Sequence, residues 1–250
     1  MSADSMLGKV RALLTKAEDR AATPAEAEAY TAKAAELIAR YGLEEAIAHA
    51  AASEPVRFEV ADRIITVPAP YARIKAGLLH AVARSADAVR AVTITGKVAN
   101  GGVRVHLFGT TADLDRVELL FTSLLVQAGQ QVAAAWADAK WSTDEGVRSW
   151  KGDWLEGFTR AIAQRLKIVR LRAKEDAGVT EGSGAELVLL NKDALVKQSV
   201  DATYPRLRAI PGRRITTRGF DGGYAAGQRA NLGGTEVSRA TGRALSGGAR

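Results

Sequence analysis

Apolar residues recur at helical spacing from the start of the chain. Leu7, Val10, Leu14 and Ala17 share one face, which predicts a helix over residues 7–17. After a break at Ala21-Ala22-Thr23-Pro24, Thr23 and Glu26 form a capping box and Pro24 takes the first helical position. Ala27, Tyr30, Ala34, Leu37, Ile38 and Tyr41 then repeat at helical spacing, and Gly42 suits a C-terminal stop. Residues 7–47 therefore read as a helical hairpin, too small to be stable unless it docks on the rest. The pattern switches to alternation over residues 56–67, where Val56, Phe58 and Val60 precede Ile64, Ile65 and Val67, and Pro68 and Pro70 end the run. A helix over 71–89 follows, with Ile74, Leu78 and Val82 facing inward. Residues 91–98 and 103–109 are β-branched alternating runs joined by Asn100-Gly101-Gly102, which predicts a hairpin.

Beyond the hairpin, a stripe of Leu114, Val117, Phe121, Leu124, Ala128, Val132 and Ala135 predicts a long helix over about 112–140, with Thr111 and Asp113 as cap candidates. A second stripe, Leu155, Phe158, Ile162, Leu166 and Val169, follows a polar break at 142–146. Residues 185–190 read as a short apolar strand after the loop Glu181-Gly182-Ser183-Gly184, and a last helix runs to about Thr203. The expected fold class is α+β: an N-terminal helical hairpin (1–50), a small antiparallel sheet with two long helices (51–204) and a basic tail (205–250). There is no internal repeat of fixed period.

Charge changes this picture at one end only. Residues 205–250 hold nine arginines, no lysine and two acids, Asp221 and Glu236, and so carry the whole net charge of +7. The body before them is neutral. The same stretch has ten glycines and reads either as a helix-and-loop appendage with a small-residue face or as a largely disordered segment. Alanine dominates the apolar residues and aromatics make up only 6%, which favours helices packed through small side chains. The absence of cysteine excludes disulfides, thiolate metal sites and a cysteine nucleophile. No run reaches the ~18 apolar residues of a membrane span and no leader pattern opens the chain, so a cytoplasmic protein without membrane contact is expected.

Several stretches resemble a known family. Lys9-Val10-Arg11-Ala12-Leu13-Leu14, Lys16-Ala17-Glu18, Glu26 through Ala34 and Ala39-Arg40-Tyr41-Gly42 resemble the N-terminal domain of domain-of-unknown-function family 2786, which occurs in actinobacterial and phage proteins. Phe108-Gly109-Thr110 with Asp113, the run from Leu119 to Gln127, Ser149-Trp150 with Gly157-Phe158, Tyr204-Pro205-Arg206-Leu207-Arg208, and Ala226-Gly227-Gln228-Arg229-Ala230 with Leu232-Gly233 resemble the companion C-terminal region of its actinobacterial members. The resemblance implies a two-part α+β architecture, a cytoplasmic protein, and a tail that belongs to the folded unit. It brings no activity, cofactor or catalytic set.

The residues themselves carry no catalytic motif. His49, His80 and His106 each stand alone, outside any zinc-protease spacing, and no nucleophile elbow or phosphate-binding glycine loop is present. Gly182 and Gly184 precede the expected strand and read as a turn. Asp113, Asp115 and Glu118 fit surface acids at a helix start. Glu26, Glu28 and Glu36 fit a solvated or docking face of the hairpin. Arg160, Lys167, Arg170 and Lys174 line one side of their helix, as on an ordinary solvated face or a helix lying along a phosphate backbone. In the tail, Arg206, Arg208, Arg213, Arg214 and Arg218 are denser and sit among Tyr204, Phe220 and Tyr224, a combination suited to single-stranded nucleic acid. The leading expectation is a non-enzymatic nucleic-acid-associated protein that needs no cofactor. The alternatives are a metal-dependent hydrolase built from scattered His, Asp and Glu, and a protein-interaction module docking through an exposed Leu37, Ile38 and Tyr41 patch on the hairpin.

Overall fold

The structure, a computed structural model, describes residues 3–19, 24–52, 57–96, 98–139, 146–209, 214–216 and 218–229. Helices α1 (Ala3–Glu18) and α2 (Pro24–Ala51) form the expected hairpin. The helix starts earlier than the pattern suggested, and its buried face is Met6, Val10, Leu14 and Ala17 rather than one led by Leu7. Thr23 lies outside the described residues. Gly42 does not stop α2. Beyond it, Leu43 and Ala46 are buried against Ala173, Ala185 and Leu189, and that packing outweighs the ~1 kcal/mol cost of an interior glycine.

Strand β1 (Ala61–Val67), helix α3 (Ala72–Ser85), strand β2 (Arg90–Ile94) and strand β3 (Val103–Gly109) come next. Both strands are shorter than their patterns suggested, because β1 pairs only from Ala61 and β2 only to Ile94. The sheet order is β1-β3-β2, with β3 antiparallel to both neighbours. β1 and β2 are therefore parallel and joined through α3, a split β-α-β unit with β3 inserted between them. The turn before β3 holds Asn100 at φ 58° and Gly101 at φ 72°, the left-handed geometry that the Asn-Gly pair predicted.

The two long helices are α4 (Thr111–Ala139) and α5 (Val147–Asp176). The cap of α4 comes one residue earlier than expected: the Thr110 hydroxyl accepts the Asp113 N–H at 3.4 Å and donates to Asp113 Oδ2 at 2.7 Å. Helix α5 closes with Val179 N–H on the Lys174 carbonyl and Gly178 N–H on that of Glu175, with Gly178 at φ 65°. The expected strand at 185–190 is instead the opening of α6 (Gly184–Thr203). Ser183 Oγ accepts the Glu186 N–H while the Glu186 carboxylate accepts the Gly182 N–H, a reciprocal cap that decides for helix. Of the leucines in that run, Leu189 is buried whereas Leu187 and Leu190 face solvent, as a helix face requires.

The main core lies between one face of the sheet and helices α3, α4 and α5, with Leu79, Leu107, Leu124, Phe158 and Ile162 at its centre. The other sheet face is covered by α6, where Phe108 meets Val196, Val200 and Tyr204. The hairpin packs on α4 through Leu13, Leu37 and Leu119. Among the described residues no helix is long and apolar enough to cross a membrane.

Helix α7 (Gly219–Arg229) belongs to the arginine-rich segment and lies against α5. Gly219, Gly223 and Gly227 repeat every fourth residue and bring the two backbones together. A Cβ on Gly223 would overlap the Trp154 carbonyl, and one on Gly227 would stand 2.6 Å from the Ala161 Cβ. Gly157 answers from α5, where a Cβ would overlap the Phe220 carbonyl. This part of the tail is thus a folded element with a small-residue face.

Candidate functional site

Two groups of cations stand out, one withdrawn from water and one left in it. The first lines a cleft where α2, α4, α5, α6 and the end of α3 converge. Asp113, at the start of α4, is its hub: Oδ1 accepts Arg116 Nη1 at 2.9 Å and Oδ2 accepts Lys192 Nζ at 2.6 Å. All three side chains are about 95% buried or more. Glu45 of α2 places Oε2 3.8 Å from both Arg116 Nη2 and Lys192 Nζ, within ion-pair range but beyond a hydrogen bond. The Arg116 guanidinium also lies over the Tyr41 ring at 4.8 Å. Arg170 and Asp87 also line the cleft, and Asp87 pairs with Arg170 and Lys174 at 3.6 and 3.0 Å.

None of the first three was among the expected site residues. The Asp113–Arg116 spacing is an ordinary helical pair, and Lys192 joins it only through the tertiary fold, so no local signal marks the cluster. The expectation that Asp113, Asp115 and Glu118 are surface acids is corrected at Asp113. Asp113 is buried, and Asp115 and Glu118 grip Arg63 of β1 at 2.9 and 2.6 Å. Hydrogen bonds to Glu118 and then Asp115 hold the Arg63 guanidinium above its ordinary pKa.

The second group is a strap of chain between α6 and α7. Arg206, Arg208, Arg214 and Arg218 are all exposed on it, and Arg213 lies outside the described residues. Two of its described residues are anchored. At one end the Tyr204 hydroxyl pairs with His106 Nδ1 at 2.8 Å, and His106 Nε2 pairs with Asp62 at 2.7 Å. At the other, the buried Asp153 carboxylate accepts the backbone N–H and the hydroxyl of Thr216 at 2.9 and 3.3 Å. The rings near the arginines are engaged: Tyr204 packs edge-on to Phe108, the Arg160 guanidinium sits over Phe220 at 5.5 Å, and Tyr224 donates to Gln164.

The α5 stripe divides between these two settings. Arg160 and Lys167 face solvent, while Arg170 and Lys174 turn to Asp87 at the cleft. The histidines stay apart. His80 Nε2 pairs with Thr93 Oγ1 at 2.8 Å, and burial, then the nearby Arg84 charge, holds its imidazole below the ordinary histidine pKa. His106 meets one carboxylate, and His49 lies edge-on to Phe58. Among the described residues no three His, Cys, Asp or Glu side chains gather as metal ligands would. Leu37, Ile38 and Tyr41 are half-buried against the hairpin core, where Leu119 of α4 joins them, rather than forming an exposed patch.

Residues 5–45, which cover most of α1 and of α2, match the family described as Protein of unknown function (DUF2786). The later stretches that resemble its companion region lie outside the matched segment. No curated protein and no solved structure matches the chain.

Proposed function

We propose that this is a nucleic-acid-associated protein that holds a phosphate backbone through the arginines of the strap. The observation that carries the reading is the pinned strap itself: Arg206, Arg208, Arg214 and Arg218 are presented to solvent on a segment fixed at Tyr204 and Thr216. Arginines close to anchored residues such as Tyr204 and Thr216 lose less freedom on binding than those of a loose tail would. Guanidinium forks fit phosphate oxygens as planar pairs. Arg160 and Lys167, exposed on α5, add to the same charge. Because Tyr204, Phe220 and Tyr224 are packed against the body, the contact is with phosphate rather than through stacked bases, and base sequence matters little.

The test is fluorescence anisotropy with labelled single- and double-stranded DNA over a salt series. The log of the binding constant should fall by ~0.7–0.9 per phosphate contacted as log salt rises. Replacing Arg206, Arg208 and Arg214 together by Ala should flatten that slope by about two to three contacts' worth. Unchanged affinity and slope in the triple variant would refute the strap as the binding element.

A further inference from the structure

Asp62, His106 and Tyr204 form a chain of hydrogen bonds at the β1 edge of the sheet. His106 Nε2 meets Asp62 Oδ2 at 2.7 Å, and His106 Nδ1 meets the Tyr204 hydroxyl at 2.8 Å. A carboxylate only accepts, so the imidazole carries its proton on Nε2. The Nδ1 lone pair is then left for the phenol, which donates to it. A hydroxyl, a base within hydrogen-bond reach and a third group that orients the base make the arrangement that activates a nucleophile. An anchor for the strap needs only an acceptor for the hydroxyl. The carboxylate behind the ring does more, because it stabilises the charge that the imidazole takes on with a proton. Packing fixes the geometry: His106 is 7% exposed, and the Tyr204 ring stands edge-on to both His106 and Phe108.

The surroundings fit a phosphate. Arg206 and Arg208 follow Tyr204 by two and four residues and are exposed. Arg104, two residues before His106 on β3, is half-buried on the same face of the strand. That face is open beside β1, where the Asp62 side chain is 61% exposed and Ile64, the cross-strand partner of His106, is 51% exposed. We propose that Tyr204 is a catalytic nucleophile that cuts a nucleic-acid strand by transesterification. This activity rests on the reading that the strap holds a phosphate backbone, and adds a reaction to it. The Tyr204 oxygen attacks the phosphorus of a phosphodiester while His106 Nδ1 takes the phenolic proton. A bond forms from that oxygen to phosphorus, and the bond to one sugar oxygen breaks, its electron pair leaving with the sugar. The departing oxygen takes a proton from water and His106 returns its own to solvent, so no net proton is consumed. The phosphate stays on Tyr204 as a diester, and the other strand end leaves as a free hydroxyl. Asp62 is the positioning residue, and the arginines offset the charge that builds on the phosphate oxygens.

The test incubates the full chain with single-stranded DNA labelled at one end or the other, at protein concentrations that anisotropy shows to saturate binding. Denaturing gels then look for label that travels with the protein. A covalent adduct carrying one end label and not the other is expected. Tyr204→Phe, which keeps the ring and removes the oxygen, should lower its yield ~100-fold or more. Asp62→Asn, at an exposed position, should slow adduct formation by at least about tenfold with the DNA still saturated. Saturated DNA with no adduct overturns the proposal and leaves the phosphate-binding strap standing. No binding in anisotropy removes both. An adduct that persists in Tyr204→Phe overturns the assignment of the nucleophile, and an unchanged rate in Asp62→Asn overturns the role of the carboxylate.

Discussion

The cleft and the strap use the same chemical groups to opposite ends. In the cleft, Arg116 and Lys192 are 3% and 5% exposed, and both are held most closely by Asp113, with Glu45 3.8 Å from each. On the strap, Arg206, Arg208 and Arg214 stand in water on a backbone pinned beside them. A buried charge is bound to its partners by the cost of leaving them, whereas an exposed one stays available to anything that arrives. The difference lies in burial, since the residue types are shared.

Removing the hub of the cleft should break that contrast most. Asp113→Ala strands two buried cations, and a loss of about 3–5 kcal/mol is expected in urea unfolding. The Arg206/Arg208/Arg214 triple alanine variant should move stability by less than ~0.5 kcal/mol in the same assay. Comparable losses in the two variants would erase the distinction.

The next effect concerns how the strap is held. Gly223→Ala forces a methyl against the Trp154 carbonyl, so α7 must move away from α5, at about 1–3 kcal/mol. Intrinsic fluorescence should register it, because Trp150 and Trp154 lie under α7. A variant with unchanged stability and emission would mean that the two backbones are not in close contact.

The smallest effect is a titration. His80 has its pKa lowered in the folded protein, so the unfolded chain takes up its proton first as the pH falls. The stability it supports is present above the unfolded value of about 6.5 and declines as the pH drops below that toward the folded pKa. His80→Gln, which keeps a hydrogen-bonding group for Thr93, should lessen the stability difference measured between pH 7.5 and 5.5. An identical difference in the variant would show that His80 titrates alike in both states.

Local signals and long-range ones fared differently in the sequence. The stripe from Leu114 to Ala135 and the Asn100-Gly101 turn were readable because each depends on residues close along the chain. The run 185–190 was misread as a strand because its apolar content outweighed the short Ser183-x-x-Glu186 cap. Gly42 was misread as a stop because its helix continues only by virtue of Ala173, Ala185 and Leu189, distant in the chain. The arginine-dense tail stood out by composition alone. The Asp113, Arg116 and Lys192 cluster did not, because one of its members arrives from α6 only after the chain has folded.

The glycine seam between α5 and α7 works as a latch. Contacts made backbone to backbone lose much of their attraction over a gap of half an ångström to one ångström, and a packed interface has few intermediate arrangements to fall back on. Helix α7 is therefore either seated or off. With it go the cover over Trp154 and the second anchor line of the arginine strap, so a disturbance at the seam reaches the charged surface as a single step rather than a gradual loosening.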